Sequence, residues 1–116
     1  MTIRYKNQGF KQADTNLNTV LTCPTDATLI VKSIYCSNND ASSAIQVNAS
    51  LVDTSASSVE YEFFRDDLAA KSQVNASPQG INLEAGDLIK IQAATGSNKI
   101  QGVISYALID RSQENG

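Results

Sequence analysis

The chain has 116 residues, of which 41% are hydrophobic and 18% charged, with a net charge of -3. That is room for one domain around one core, and the acidic balance (pI near 4.7) offers no basic stripe for a polyanion, so nucleic acid is not an expected partner. No apolar run approaches the roughly 18 residues of a membrane span, and the opening MTIRYKNQGF lacks the apolar core of a secretory signal, so the expectation is a chain made in a cytoplasm with no membrane partner.

Residues Met1 to Leu17 are polar, show no helical or strand period, and carry three isolated larger side chains, Ile3, Tyr5 and Phe10. They read as an extended N-terminal arm, residues 1–17, ahead of a domain spanning 18–110 and a flexible tail at 111–116. The arm holds Arg4, Lys6 and Lys11 against Asp14, a net of +2, whereas the remainder has six basic and eleven acidic residues, a net of -5. The two parts are suited to surfaces of opposite sign. An arm of this kind has two readings, a frayed terminus or a segment that docks on a neighbouring subunit with Tyr5 and Phe10 as anchors.

The domain opens with a short strand, Asn18 to Thr22, stopped by Cys23-Pro24-Thr25-Asp26, where Pro24 cannot donate to a ladder. The clearest signal follows. Thr28 to Ser37 is rich in β-branched and aromatic residues, and Ala44 to Asp53 alternates Ile45, Val47, Ala49 and Leu51 with Gln46, Asn48 and Ser50, so apolar side chains share one face. Between these strands, Asn38 to Ser43 has the composition of a hairpin loop. After a second turn at Thr54 to Ser58, Val59, Tyr61 and Phe63 alternate with Glu60 and Glu62. Phe64 then breaks the pattern on the polar side, either as an exposed contact anchor or as a residue that a bulge turns inward.

Arg65 to Ser77 reads as a loop leading to a strand around Lys71 to Ala76, with one helical turn at 65–71 as the alternative. Pro78-Gln79-Gly80 forces a turn before the brief Ile81-Asn82-Leu83. Glu84-Ala85-Gly86-Asp87 is a tight turn in which Gly86 supplies a positive φ. Leu88 to Ala94 alternates Ile89, Ile91 and Ala93 with Lys90 and Gln92, and Thr95 to Asn98 is a hairpin turn. The last strand, Lys99 to Asp110, is apolar on both faces, as for a strand that is central or covered on both sides. Seven or eight strands at regular spacing without a helix predict an all-β, antiparallel two-sheet sandwich of possible jelly-roll order.

Residue chemistry argues against an enzyme. There is no histidine, the serines fall in turn-like runs, and Glu60/Glu62 and Asp66-Asp67 read as solvated charge. No cofactor or metal site is expected: Asn38, Asn39 and Asp40 have the oxygen ligands calcium favours but not the spacing of a calcium loop, and two cysteines without histidine cannot hold zinc. Cys23 and Cys36 read as small buried hydrophobes, with a disulfide between neighbouring strands as the alternative that a reducing compartment disfavours. Val-Asn-Ala-Ser occurs at 47–50 and 74–77 without making a repeat, and absent Trp with scattered Tyr speaks against sugar stacking.

The runs ATLIVKSIYCSNND, AIQVNASLVDTSAS, INLEAGDLIKIQAA and VISYALID, in that order across Asn18 to Asp110, resemble a group of small virion structural proteins of tailed bacteriophages, especially those of marine and cyanobacterial hosts. The resemblance implies a β-sandwich located in the virion, as a capsid decoration (cement) protein bound to the major capsid protein. A neck or tail component, or a tail-fibre-type module that binds a host surface, is the other implied role. Decoration would put the partner contacts on Ile3, Tyr5, Phe10 and Phe64, and host binding would put them on the loop tips Asn38 to Ser43 and Thr95 to Asn98. A thin aliphatic core with exposed strand edges points to a homo-oligomer, a trimer or similar ring.

Overall fold

The computed structural model describes residues 2–112. Nine strands run through it: β1 (Thr2–Lys11), β2 (Asn18–Thr22), β3 (Ala27–Asn38), β4 (Ile45–Asp53), β5 (Val59–Leu68), β6 (Gln73–Asn75), β7 (Ile81–Leu83), β8 (Leu88–Ala93) and β9 (Ile100–Asp110), with a single 3-10 turn at Thr54–Ala56. They form two packed antiparallel sheets. One has the order β1-β9-β3-β6, with β7 also on β3, and the other has the order β2-β8-β4-β5. β6 pairs with Tyr35 to Ser37 and β7 with Leu29 to Val31, at opposite ends of β3. Counted as one interrupted strand, they leave eight strands in jelly-roll order, the chain changing sheets at every connection except the β4–β5 hairpin.

The period-two patterns decide which side of each strand faces the other sheet. Leu29, Val31, Ile34 and Cys36 of β3 meet Val47 and Ala49 of β4, Ile89, Ile91 and Ala93 of β8, and Ile100 and Ile104 of β9 in one core, each at most 1% exposed. Each fully buried Val, Leu or Ile side chain among them contributes about 1.5–3 kcal/mol of transfer free energy. The expectation that the last strand is central holds, since β9 lies between β1 and β3.

Residues 2–11 are where the structure and the sequence pattern part. Read as an arm ahead of the sandwich, they are one of its strands: β1 pairs with β9 from Thr2↔Asp110 to Lys11↔Gln101 without a break. The strand has no apolar period because it is an edge strand whose residues are exposed on both sides, apart from half-buried Phe10. Its backbone bonding to β9 holds it in the sheet, with Phe10 the side chain that packs on the core. The described sandwich therefore begins at Thr2 rather than Asn18. At the other terminus, Arg111 donates its backbone N–H to the Asp26 carbonyl at 2.8 Å and Ser112 donates to Asp110 at 2.9 Å. The rest of the expected tail, 113–116, lies outside the described residues.

β5 also runs further than expected, through Arg65 to Leu68, where the sequence pattern predicts a loop or a helical turn. Pairing with the whole of β4 overrides the local charge pattern. The turn that follows is made by Lys71, whose φ is 58°. At Gly86, φ is 85°, in keeping with the tight turn read there. That turn is fixed by Asp87, a buried carboxylate that accepts from Thr54 N (3.1 Å), Thr54 Oγ1 (3.2 Å) and Glu84 N (2.9 Å). It ties the corner after β4 to the corner before β8.

Candidate interaction surface

Cross-strand partners in a sheet point to the same face. Because Leu29, Val31 and Ile34 point inward, Thr28, Ile30 and Tyr35 point away from the core, and the registers carry that outer face across three strands. One row runs Ile3–Ile109–Thr28 and the next Tyr5–Ala107–Ile30; beyond the polar row Asn7–Ser105–Ser33 comes Gly9–Val103–Tyr35. Five of the seven large apolar side chains exposed among the described residues lie here, with Tyr5 78%, Ile3 54% and Tyr35 52% accessible beside Val103 and Ile30. Lys32 extends its Nζ over the Tyr5 ring, 5.2 Å from the centroid, a cation–π contact at an exposed site. Beside Val103, a shallow depression is bounded by Gly9, Phe10, Gly102 and Ser37.

The outer face of the β2-β8-β4-β5 sheet has opposite chemistry over its middle. Asn48 donates to Gln92 Oε1 at 3.2 Å, and Gln92 donates to the Thr15 carbonyl at 3.1 Å. Arg65 holds Glu62 through two bonds of 3.0 and 2.8 Å. That guanidinium keeps the Glu62 carboxyl below its ordinary range. The Asn48, Gln92, Arg65 and Glu62 side chains of this face are thus partnered within the chain.

The four anchors expected from sequence separate into two pairs. Ile3 and Tyr5 are exposed on the apolar outer face. Phe10 is partly buried and packs on the core, its ring lying over Gly102: a Cβ built there would meet the Tyr35 carbonyl oxygen and stand 2.7 Å from Cε1 of the ring. Phe64 is also turned to the core. A bulge between Ala49 and Ser50 sets Phe64 opposite Ala49, so of its two readings the inward one is found. Tyr35, Ile30 and Val103 do not stand out in the sequence, although the two-faced apolar character of β9 is a signal that its outer side is meant to be covered.

The loop tips are brought together at one end of the sandwich, where Asn39 N donates to the Lys99 carbonyl at 2.7 Å. Asn38 is buried, its Nδ2 donating to the carbonyls of Ser43 and Leu68, both at 2.9 Å. Asp40 accepts from the backbone of Ser42 and Ser43, which holds its carboxyl below the ordinary value. These oxygens close a turn, and among the described residues no group of three His, Cys, Asp or Glu side chains is placed to hold a metal ion. Cys23 and Cys36 are free and buried. Burial pushes the Cys36 thiol up to about 12 and raises Cys23 as well, the reverse of what a nucleophilic thiolate requires.

No protein-family model matches the chain, and no curated protein matches it by sequence. Solved structures are similar in fold. A chain of the acid-stable capsid of the Helicobacter pylori bacteriophage KHP30 superposes with a TM-score of 0.60 at 15% identity, covering 97% of this chain and 90% of that one. A chain of the T13 particle of IBDV gives 0.53 at 7% identity, covering 94% of this chain but 31% of that one. The Drosophila NLP core, whose crystal structure provides insight into that protein's pentamer formation and histone binding, gives 0.50 at 11% identity over 92% and 98% of the two chains. At such identities the likeness is one of architecture, and the first and third structures match the whole sandwich rather than a part of a larger chain.

Proposed function

We propose that the chain is a non-enzymatic structural protein of a phage virion, a decoration (cement) protein that binds the major capsid protein on the assembled head. The observation that carries this reading is the apolar outer face of the β1-β9-β3 sheet, with Ile3, Tyr5, Ile30, Tyr35 and Val103 exposed on three adjacent strands. Exposed large apolar side chains gathered on one sheet face of a small domain suit a contact surface. Its Tyr side chains supply large, stiff contact area at low entropic cost. The whole-chain likeness in fold to a component of a phage capsid supports the setting. Many copies on one shell would add weak contacts by avidity.

A second reading, a neck or tail component or a host-binding module, is favoured by the gathering of the 38–43 and 95–98 loops at one end of the sandwich. Gold-conjugated serum raised against the purified chain and applied to intact virions separates the two. Label spread over the head supports decoration. Label confined to one vertex or to the tail would replace it with the second reading, and unlabelled particles in a preparation where control serum labels the shell would overturn both.

A further inference from the structure

The two flanks of the sandwich carry opposite charge. Strand β1 closes the first sheet on one flank, stacked beside β2, and its ten residues include Arg4, Lys6 and Lys11 with no acid. Strand β5 closes the second sheet on the other flank, and its ten residues include Glu60, Glu62, Asp66 and Asp67 against Arg65 alone. Pairing inside the chain removes one charge from β1, since Arg4 reaches Asp110 at 3.6 Å, and a balanced pair from β5, where Arg65 holds Glu62 at 2.8 Å. Lys6 and Lys11 on one flank, and Glu60, Asp66 and Asp67 on the other, are left exposed and outside any ion pair among the described residues.

Both strands are also long edges. Each presents ten residues of backbone with no strand beside its outward side among the described residues. Natural sheets usually blunt such edges or cover them. Here the acidic edge would repel another acidic edge and the basic edge another basic one, so neither flank is suited to its own kind, and each is suited to the other.

We propose that copies of this chain associate head to tail, the basic β1 flank of one copy against the acidic β5 flank of the next. Such a contact is heterologous: it uses two different surfaces of one subunit, and successive copies close a ring where the rotation between them allows it and extend a filament where it does not. The contact runs along the strand edge, with Lys11 at the margin of the apolar outer face, and leaves Ile30, Tyr35 and Val103 on β3 and β9 outside it. The proposal stands whether or not the chain decorates a capsid.

Mixing two charge-reversed variants of the full chain tests it. The first carries Lys6→Glu and Lys11→Glu, so both of its flanks are acidic; the second carries Glu60→Lys, Asp66→Lys and Asp67→Lys, so both of its flanks are basic. Sedimentation velocity of the wild-type chain at low salt should show a concentration-dependent mass above that of a monomer. Each variant alone should associate at least about tenfold more weakly. An equimolar mixture should regain association, because the acidic β1 of the first variant then meets the basic β5 of the second and the reverse contact is unaltered. Strict alternation in the mixture closes only rings of even number, so an odd wild-type ring would change size. Recovery on mixing also excludes misfolding as the cause of either variant's loss. Wild-type chain that stays monomeric up to about 1 mM at low salt, variants that associate as the wild type does, or a mixture no larger than its components would each overturn the proposal.

Discussion

The two outer faces of this sandwich have the same geometry and opposite uses of side chains. On the β2-β8-β4-β5 sheet, Asn48, Gln92, Arg65 and Glu62 bond one another and leave little for a partner to satisfy. On the β1-β9-β3 sheet, Ile3, Tyr5, Ile30, Tyr35 and Val103 face water with only Lys32 leaning over one ring. Water is a good solvent for the first face and a poor one for the second. A strand that alternates apolar and polar residues has one job, facing the core, whereas β9 is apolar on both sides and has two.

The largest expected effect falls on the core that both faces share. Ile91 is fully buried beneath the polar sheet, and Ile91→Asp should abolish the cooperative melt, since an unpaired buried carboxylate costs several kcal/mol against a total stability of order 10 kcal/mol. A variant that melts as the wild type does would mean the inner and outer faces of β8 are exchanged, and the contrast between the two outer faces would fall with it.

Gly102→Val comes next. The added side chain would collide with the Tyr35 carbonyl and the Phe10 ring. Denaturant unfolding should show a loss of about 1–3 kcal/mol, with hydrogen exchange in β1 accelerated ahead of β3 and β8. Exchange that accelerates evenly through the chain would show β1 to be no more separable than any other strand.

Substitutions on the outer faces should divide binding from stability. Tyr35→Ser and Val103→Ser should shift stability by no more than about 0.5 kcal/mol, as surface changes do, while lowering occupancy on undecorated particles in a pelleting assay. Asn48→Ala and Gln92→Ala should leave occupancy unchanged. Equal losses on both faces would erase the proposed distinction.

The smallest effect is that of acid. Asp14, Asp40, Glu62 and Asp110 are all held below their ordinary values by hydrogen bonds or, for Glu62, chiefly by the Arg65 side chain. Below their unfolded values of 3.8 to 4.5 the unfolded chain takes up more protons than the folded one, so the stability these groups contribute is present above that range and lost as pH falls through the folded values. Asp14 and Glu62 are exposed and Asp40 and Asp110 lie half-buried at the surface, so the melting temperature should be flat from neutral pH down to about 5 and drift downward only below about 4.5. A transition near neutral pH would contradict this, because none of these four carboxylates titrates there.

The strands most legible in the sequence were those with one buried face. Ile45, Val47 and Ala49 on β4, and Ile89, Ile91 and Ala93 on β8, announce themselves by alternation, and Gly86 announces its turn by the backbone it must adopt. What stayed hidden depends on partners remote in sequence. β1 has no apolar period and is a strand only because β9 bonds it. The inward turn of Phe64 depends on a bulge against β4, and the buried Asn38 and Asp87 side chains are satisfied by carbonyls and N–H groups 30 to 33 residues away. The outer face was half legible: Tyr5 and Ile3 stand out as isolated large side chains, but only the register places them beside Ile30, Tyr35 and Val103.

The central claim is that the apolar face of the β1-β9-β3 sheet is the side turned to the particle. Under the proposed decoration role, a cryo-EM reconstruction of phage particles with this chain bound tests it most directly. The account predicts sandwich-shaped density on the head with Tyr5, Tyr35 and Val103 against the shell and the Arg65–Glu62 pair facing solvent. Density that seats the polar sheet on the shell, or that leaves Tyr35 and Val103 open to water in the assembled particle, would contradict it.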